Sequence, residues 1–353
     1  MTPFLFVGYL KPSTYADYHV KALVTGASGF IGSTLIEELC TLGFDVHALM
    51  RPTSSSANLA GLKYQRIEGD LSDYDSLCRA VRDMDYVFHL AGLTVADNKK
   101  TFFEFNANGT ERIAKAVAIC RPGLTRFVYV SSLAAAGPSS ALEPRIESDS
   151  ETPVSSYGES KLQGEKELLK YKDIFPISIV RPPMVYGPKD KATFLFVQTV
   201  SRNLMPLFKG ANTEGHKYYS AIHVKDLCRG IVQAGVAPKE KVASGEVFYL
   251  CGDDVTTYEG LMTTIADRLN RDPLKIKIPT IGLKIAAMGM TALGKVTGQT
   301  FSLNNDKLNE ILPDYWVCSN EKAKKLLGFA PEYSVPTGMA HAIDWYQKNN
   351  WVS

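Results

Sequence analysis

Thr25-Gly26-Ala27-Ser28-Gly29-Phe30-Ile31-Gly32 stands between the apolar run Lys21-Ala22-Leu23-Val24 and the amphipathic stretch Ile31 to Leu42. Three glycines sit where a strand gives way to a helix, and their missing side chains let the backbone approach a pyrophosphate. The helix N-terminus behind them offers free N–H groups and positive potential. A glycine-rich string by itself is a common structural turn. Its place between strand and helix makes it a phosphate cradle, with Gly26, Ser28, Gly29, Phe30, Ile31 and Gly32 as the candidate contacts.

Outward from this turn, short β-rich runs alternate with amphipathic stretches of helical length. Ala22 to Val24, Val46 to Leu49, Tyr64 to Ile67, Tyr86 to Leu90, Phe127 to Val130 and Ile177 to Val180 read as strands. Ile31 to Leu42, Ser76 to Val81, Phe103 to Ile119 and Ser156 to Tyr171 read as the helices between them. Such alternation implies a parallel sheet wrapped by helices. After Arg181 the regularity changes, with Pro182, Pro183, Gly187 and Pro188 crowded together. A helix is predicted at Phe194 to Asn203, a strand at Tyr218 to Ile222, a helix from Val224, a strand at Val247 to Leu250 and a helix at Tyr258 to Leu269. The expected fold is α/β: a Rossmann doubly wound parallel sheet over about residues 20–182, then 183–353, which is mainly a smaller C-terminal α/β substrate lobe. Residues 1–19 read as an appended extension, either upstream of a true start at Val20 or a short arm covering a neighbouring surface.

With 45% hydrophobic and 22% charged residues and a formal charge of +2, the 353-residue chain has no basic excess to hold a nucleic acid. Its six cysteines are scattered, with no CxxC pair and no histidine at metal-ligand spacing. They read as reduced thiols, and no metal is expected. No run approaches the roughly 18 continuous apolar residues of a membrane span. The N-terminus also lacks a basic region followed by a long apolar segment, so a cytoplasmic protein is expected.

Two further positions carry chemistry. At the end of the second strand an acidic residue would bind the adenosine ribose of NAD and repel an added phosphate. Here Val46-His47-Ala48-Leu49-Met50 runs into Arg51. A guanidinium pairs with a 2′-phosphate in a bidentate, charge-assisted way, which favours NADP over NAD; the alternative is a solvated surface arginine. Farther on, Tyr157-Gly158-Glu159-Ser160-Lys161 places a phenol and an ammonium four residues apart, one turn apart on one helix face.

Taken together, TGASGFIG, GDL (Gly69 to Leu71), HLAG (His89 to Gly92), VSS (Val130 to Ser132), YGESK and RPPMVYGP (Arg181 to Pro188) resemble the extended short-chain dehydrogenase/reductase family from Lys21 to Val352. The resemblance implies that Asp70 and Leu71 form the adenine-binding turn and that Leu90, Ala91 and Gly92 pass under the nicotinamide-side ribose. It places Asn108, with Asn106 beside it, in the family's helix-asparagine region and adds Pro182 to the cofactor site. Either asparagine reads equally well as a cap or a helix-surface residue. The resemblance makes Ser132, Tyr157 and Lys161 the catalytic set. Ser132 is chosen over Ser131 because the family serine stands five residues before a glycine, here Gly137. Tyr157 would give its proton to a carbonyl oxygen as hydride arrives, Lys161 would anchor the nicotinamide ribose, and Ser132 would hydrogen-bond the same oxygen. Free tyrosine titrates near 10, so work at neutral pH calls for a downward shift of about three units, supplied by Lys161 and a positive nicotinamide. Homodimers are common in this family, often through the helices here at 103–119 and 156–171.

The same scaffold serves reductases, epimerases and dehydratases. Nucleotide-sugar dehydratases carry an acid/base pair directly after the active-site serine or threonine; this chain has Leu133-Ala134. Many nucleotide-sugar members also carry an arginine where Tyr219 stands. His223, in the same segment, is read as structural. Ser131 to Pro138 and Ala48 to Pro52 resemble the dihydroflavonol-reductase-like and 3β-hydroxysteroid-dehydrogenase-like branches, whose members act on bulky, largely apolar ketones or alcohols. The apolar stretch 281–290 has three readings: a pocket wall, a membrane-facing surface, or a core helix of the second lobe. A nucleotide-sugar epimerase is the alternative function, and a non-enzymatic nucleotide sensor a further one.

Overall fold

The computed structural model describes residues 20–208, 210, 215–279, 281–284, 287–290 and 305–352; the extension at 1–19 lies outside them. β1 (Lys21–Thr25) feeds α1 (Phe30–Thr41), followed by β2 (Asp45–Met50), β3 (Gln65–Glu68), α2 (Tyr74–Val81) and β4 (Tyr86–His89). Next come α3 (Lys99–Phe102), a π-helical turn over Phe103–Asn108, α4 (Gly109–Cys120), β5 (Arg126–Val130), α5 (Leu133–Ala136), α6 (Ser156–Leu169) and β6 (Ile177–Arg181). The remainder is β7 (Met184–Tyr186), α7 (Lys191–Ser201), β8 (Leu204–Phe208), β9 (Tyr218–His223), α8 (Val224–Val236), β10 (Glu246–Tyr249), β11 (Val255–Thr257), α9 (Tyr258–Leu269), β12 (Leu274–Ile278), α10 (Asn305–Ile311), β13 (Tyr315–Trp316), α11 (Glu321–Leu327) and α12 (Val335–Lys348).

Seven strands form one sheet in the order β10-β6-β5-β4-β1-β2-β3, and every pairing in it is parallel. The order reverses between β1 and β4, so a crevice opens at the carboxyl ends of those two strands, where ligands bind in sheets of this kind. Covered on both faces, the central strands are apolar at successive positions: every residue of β4 and β5 is buried. Arg126 is tolerated at the head of β5 because its guanidinium donates to Ser178 Oγ and to Ala237 O, each at 3.0 Å. One face packs Leu35 and Leu39 of α1 with Leu227 and Ile231 of α8. The other packs Leu77 of α2, Ile113 and Val117 of α4 and Leu168 of α6.

Two sequence expectations need correction. The strand expected near Val247 to Leu250 in the second lobe is β10, which lies on the edge of the main sheet with Val247 opposite Ile179. Its partner helix α8 packs beside α1, so part of the 183–353 segment completes the first unit. The physical reason is that β6 would otherwise leave an open edge and α8 an uncovered apolar face. The single helix expected from Phe103 to Ile119 begins instead as a π turn over Phe103–Asn108, a local insertion that recurs at functional sites.

A second sheet, β11-β9-β13 with β7 also on β9, carries the smaller unit. Val197 of α7, Ile265 of α9 and Ile343 of α12 pack on it. In the 281–290 stretch Leu283 and Ala287 are buried against Leu308 of α10, while Ile281 and Met288 are exposed. No described helix is long and apolar enough to cross a membrane.

Candidate active site

The chain leaves β1 through Gly26, whose φ of 69° suits a residue without a Cβ. A Cβ there would stand 2.8 Å from Ala91 N, and one on Gly32 would stand 2.2 Å from Gly26 O. Strand, turn, helix and the Leu90–Gly92 segment therefore close on one another only because these positions are glycine. Gly29 is the N-cap of α1 and contributes no side-chain cap, so the first-turn amides, Phe30 and Ile31 among them, are presented to the crevice as donors. Ser28 O accepts from Asn58 Nδ2 at 3.0 Å and Asn58 O from Lys189 Nζ at 3.1 Å, which ties the loop after β2 and the β7–α7 loop to the same turn. A cradle that any side chain would fill fits a dinucleotide pyrophosphate.

At the carboxyl end of β2, Arg51 is exposed and its carbonyl accepts from Arg66 Nη2 at 2.9 Å. Sequence reading passed over Arg66, because its role depends on β3 lying beside β2. Asp70 Oδ1 accepts from Ser72 Oγ at 2.6 Å and Ser72 N at 2.8 Å. Chiefly the Ser72 hydroxyl, with Arg51 adding its charge, holds this carboxyl below the usual aspartate range. Leu71 O accepts from Arg112 Nε at 2.5 Å, which braces the turn against α4.

A buried polar chain joins the glycine turn to the catalytic helix. Ala91 N donates to Thr25 Oγ1 at 3.1 Å, and Thr25 Oγ1 lies 2.7 Å from His89 Nδ1. His89 Nε2 lies 3.0 Å from Thr110 Oγ1, which donates to Asn106 O at 2.6 Å. Burial holds His89 neutral by pushing it down to about 3. Because Thr110 spends its proton on Asn106, the His89 proton belongs on Nε2. Asn106 Oδ1 accepts from Leu93 N at 2.7 Å, and its Nδ2 donates to Leu93 O at 3.0 Å and Ser160 Oγ at 2.9 Å. Asn108, assigned to the cofactor from sequence, faces away: it is exposed and donates to Glu104 Oε2 at 2.8 Å. The π turn puts Asn106 inward and Asn108 outward, which helical spacing alone does not reveal.

Ser132, Tyr157 and Lys161 come together at the carboxyl end of β5. Ser155 caps α6 by accepting from Gly158 N at 3.0 Å, and this first turn carries Tyr157. Ser132 caps α5, accepting from Ala134 N at 3.1 Å, with its hydroxyl against the Tyr157 phenol. Pro182 is buried behind this cap, its carbonyl accepting from Leu133 N at 2.8 Å. Ser131 turns the other way and donates to buried Glu165, which also accepts from Arg181 Nε at 2.9 Å. Lys161 Nζ donates to Val130 O at 2.8 Å and stands 4.3 Å above the Tyr129 ring. A Cβ on Gly92 would come within 2.8 Å of Asn106 Oδ1 and 3.9 Å of Lys161 Nζ, so the Leu90–Gly92 segment and the lysine share one corner.

The titration behaviour differs from the sequence expectation. Burial pushes Tyr157 up to about 12, the neighbouring Ser132 hydroxyl opposing and the Glu310 charge reinforcing it. Burial likewise brings Lys161 down to about 7, with Glu165 opposing. With the lysine lowered this far, the downward shift of the phenol falls to a bound, positive nicotinamide. The surrounding groups keep the phenol protonated, the state a proton donor needs.

Tyr219 packs with Tyr157 against Leu133, Ala134, Tyr249 and Trp316, so the position of the nucleotide-sugar arginine is apolar here. His223 lies elsewhere: its Nδ1 accepts from Lys225 N at 3.3 Å, its Nε2 is 3.1 Å from His341 Nδ1, and Tyr333 stacks on its ring at 3.9 Å. A cavity of about 570 Å³ opens beside the catalytic helix, lined by Phe102, Ser156, Lys284, Met288, Asp306 and Leu308 among others. Phe102 meets the Tyr157 ring at 6.0 Å between centroids. The 281–290 stretch is thus both core, through Leu283 and Ala287, and cavity wall, through Lys284 and Met288.

A doubly wound sheet with a glycine turn at its switch point, and serine, tyrosine and lysine beside it, defines an enzyme of the extended short-chain dehydrogenase/reductase type. The chain belongs to the NAD dependent epimerase/dehydratase family, whose pattern matches residues 22–251. It is similar to a ceramide reductase of Caulobacter vibrioides, 27% identical over 93% of this chain and 95% of that one. It is also similar to a putative dihydroflavonol 4-reductase of a Synechocystis strain, 26% identical over 93% and 95% of the two chains. Among solved structures, a UDP-glucuronic acid 4-epimerase from Bacillus cereus in complex with UDP-glucuronic acid and NAD shares the fold with a TM-score of 0.74, at 22% identity over 94% of this chain and 100% of that one.

Proposed function

We propose that this protein is an NADP-dependent reductase that interconverts a ketone and a secondary alcohol on a bulky, largely apolar small molecule. One observation carries the reading: Tyr157 and Ser132 face each other while the two residues after Ser132, Leu133 and Ala134, are buried in an apolar cluster with Tyr219. Among the described residues, Leu133 and Ala134 stand where a dehydratase carries its acid/base pair and Tyr219 where many nucleotide-sugar members carry an arginine, beside one proton donor and its hydrogen-bonding partner. The dinucleotide supplies the hydride. Ser132 would orient the carbonyl oxygen, Tyr157 would deliver a proton to it, and Lys161 would hold the nicotinamide-side ribose. Relatives named for ceramide and dihydroflavonol reduction support a large apolar substrate.

The test is a panel of hydrophobic ketones and 3-ketoacids with NADPH and NADH, and of sterol-like alcohols with NADP+ and NAD+, run alongside Tyr157→Phe. Net NADPH consumption is expected, lost in the variant while NADPH binding persists. Interconversion of a UDP-sugar with no net change in dinucleotide would instead make the protein an epimerase, and turnover surviving Tyr157→Phe would refute the assigned proton donor.

A further inference from the structure

Two carboxylates of α10 grip the first turn of the catalytic helix. Asp306 Oδ1 accepts from Ser156 N at 2.6 Å and Asp306 Oδ2 from Tyr157 N at 3.3 Å. Glu310 Oε1 accepts from Ser155 Oγ at 2.7 Å. Three consecutive residues ending at Tyr157 are thus held by an element about 150 positions away in sequence. Ser155 already caps the helix locally, so this second set of acceptors exceeds what an ordinary helix start recruits. Glu310 is itself anchored, its Oε2 accepting from Lys307 Nζ at 2.6 Å and its carbonyl from Trp316 Nε1 at 2.8 Å.

The same short helix is a wall of the cavity. Asp306, Leu308 and Asn309 line it together with Ser156, and Leu308 also packs on Leu283 and Ala287. The cavity wall and the peptide of Tyr157 are therefore one hydrogen-bonded body.

We propose that α10 couples the cavity to the proton donor: through the bonds that Asp306 and Glu310 already make to residues 155–157, a bulky molecule seated against Leu308 and Asn309 braces the first turn of the helix and thereby positions the Tyr157 phenol for proton transfer. The proposal rests on the reading of Tyr157 as the proton donor. Asp306 and Glu310 are positioning residues, and binding energy gained far from the carbonyl appears in kcat through them.

The experiment compares kcat for the bulkiest ketone that the wild type reduces with kcat for cyclohexanone, in wild type and Asp306→Ala. The ratio is expected to fall about tenfold in the variant, the worth of one or two hydrogen bonds, with NADPH affinity within about twofold of wild type as measured by ligand fluorescence. A role confined to stability would lower the melting temperature and leave the ratio unchanged, and that result overturns the proposal. Should Asp306→Ala not fold, Glu310→Gln carries the test. It keeps an acceptor for Ser155 but weakens the charge-assisted bond, so the same kcat ratio should fall, by less than in Asp306→Ala. An unchanged ratio there overturns the proposal equally. Turnover surviving Tyr157→Phe would remove the underlying reading instead, whereas turnover lost there with an unchanged ratio in Asp306→Ala refutes the coupling alone.

Discussion

Asn106 Nδ2 donates to Ser160 Oγ at 2.9 Å, and Ser160 Oγ donates in turn to the carbonyl of Tyr157 at 2.7 Å. This two-step bridge connects the π turn after α3 with the catalytic helix, and it exists only because the π turn swings Asn106 inward. Asn106 also satisfies both backbone groups of Leu93, so both of its amide protons are spent. Asn106→Ala would strand those groups inside the protein at a cost of about 1–3 kcal/mol each. We expect a fall of several degrees in melting temperature together with a loss of kcat. Asn108→Ala, at an exposed position, should stay within about 0.5 kcal/mol of wild type. Equal effects at the two positions would contradict the structure.

Much of this arrangement was legible in the sequence. The glycines fixed the first strand–turn–helix, because Gly26 and Gly32 are required by backbone approaches that show in their spacing. The tyrosine–lysine spacing also survives, since four residues is one helical turn whatever the tertiary context. What escaped reading is what depends on packing between distant segments. His89, Thr110 and Ser160 look like ordinary strand and helix residues until the sheet brings them into one chain. Arg66 acts on Arg51 only through strand pairing, and α10 reaches the catalytic helix from about 150 residues away. Titration depends on packing in the same way: the spacing of Tyr157 and Lys161 shows a cation beside a phenol, whereas burial, which raises the phenol and lowers the amine, comes only with the fold.

The contact between α5 and α6 gives a second prediction. A Cβ on Gly158 would lie 2.3 Å from Ala134 O, so the helices carrying Ser132 and Tyr157 touch through backbone there. Gly158→Ala should force them apart, costing about 1–3 kcal/mol of stability and lowering kcat beyond the change in KM. Gly123→Ala is the control, since a Cβ at that position meets nothing within 4 Å. A Gly158→Ala protein with wild-type kcat would show that the separation of the two helices does not govern the reaction.

Arg51 sets a third. Its guanidinium is exposed near Asp70, and its backbone is held by Arg66. If it binds a 2′-phosphate, Arg51→Ala should weaken NADPH by about 1.5–3 kcal/mol, the range for hydrogen bonds to charged groups, and leave NADH within about twofold. Arg66→Ala should weaken NADPH less, because Arg66 acts through the Arg51 and Pro52 carbonyls. Titration of both dinucleotides by protein fluorescence reads the difference directly; a parallel loss of NADH and NADPH would relocate the specificity away from Arg51.

Lys161 makes stability depend on pH in a direction that can be worked out. Its amine falls from an ordinary 10.5 to about 7 in the folded protein, where burial disfavours the charge and Glu165 partly opposes it. Between those two values the unfolded chain holds a proton that the native protein has lost, so this group makes stability rise with pH across that window. Below about 7 the lysine is charged in both states, and the full penalty of burying the charge is present. Lys161→Met removes the penalty, and each pKa unit is worth about 1.36 kcal/mol. In the protein without dinucleotide, the variant should therefore be inactive yet more stable than wild type by a few kcal/mol near neutral pH. That advantage should shrink steadily as pH approaches 10.5. Chemical denaturation of the two proteins at several pH values measures it. A gap that stays constant with pH would mean that Lys161 keeps its ordinary affinity for the proton, and with it the charge that the sequence alone had suggested.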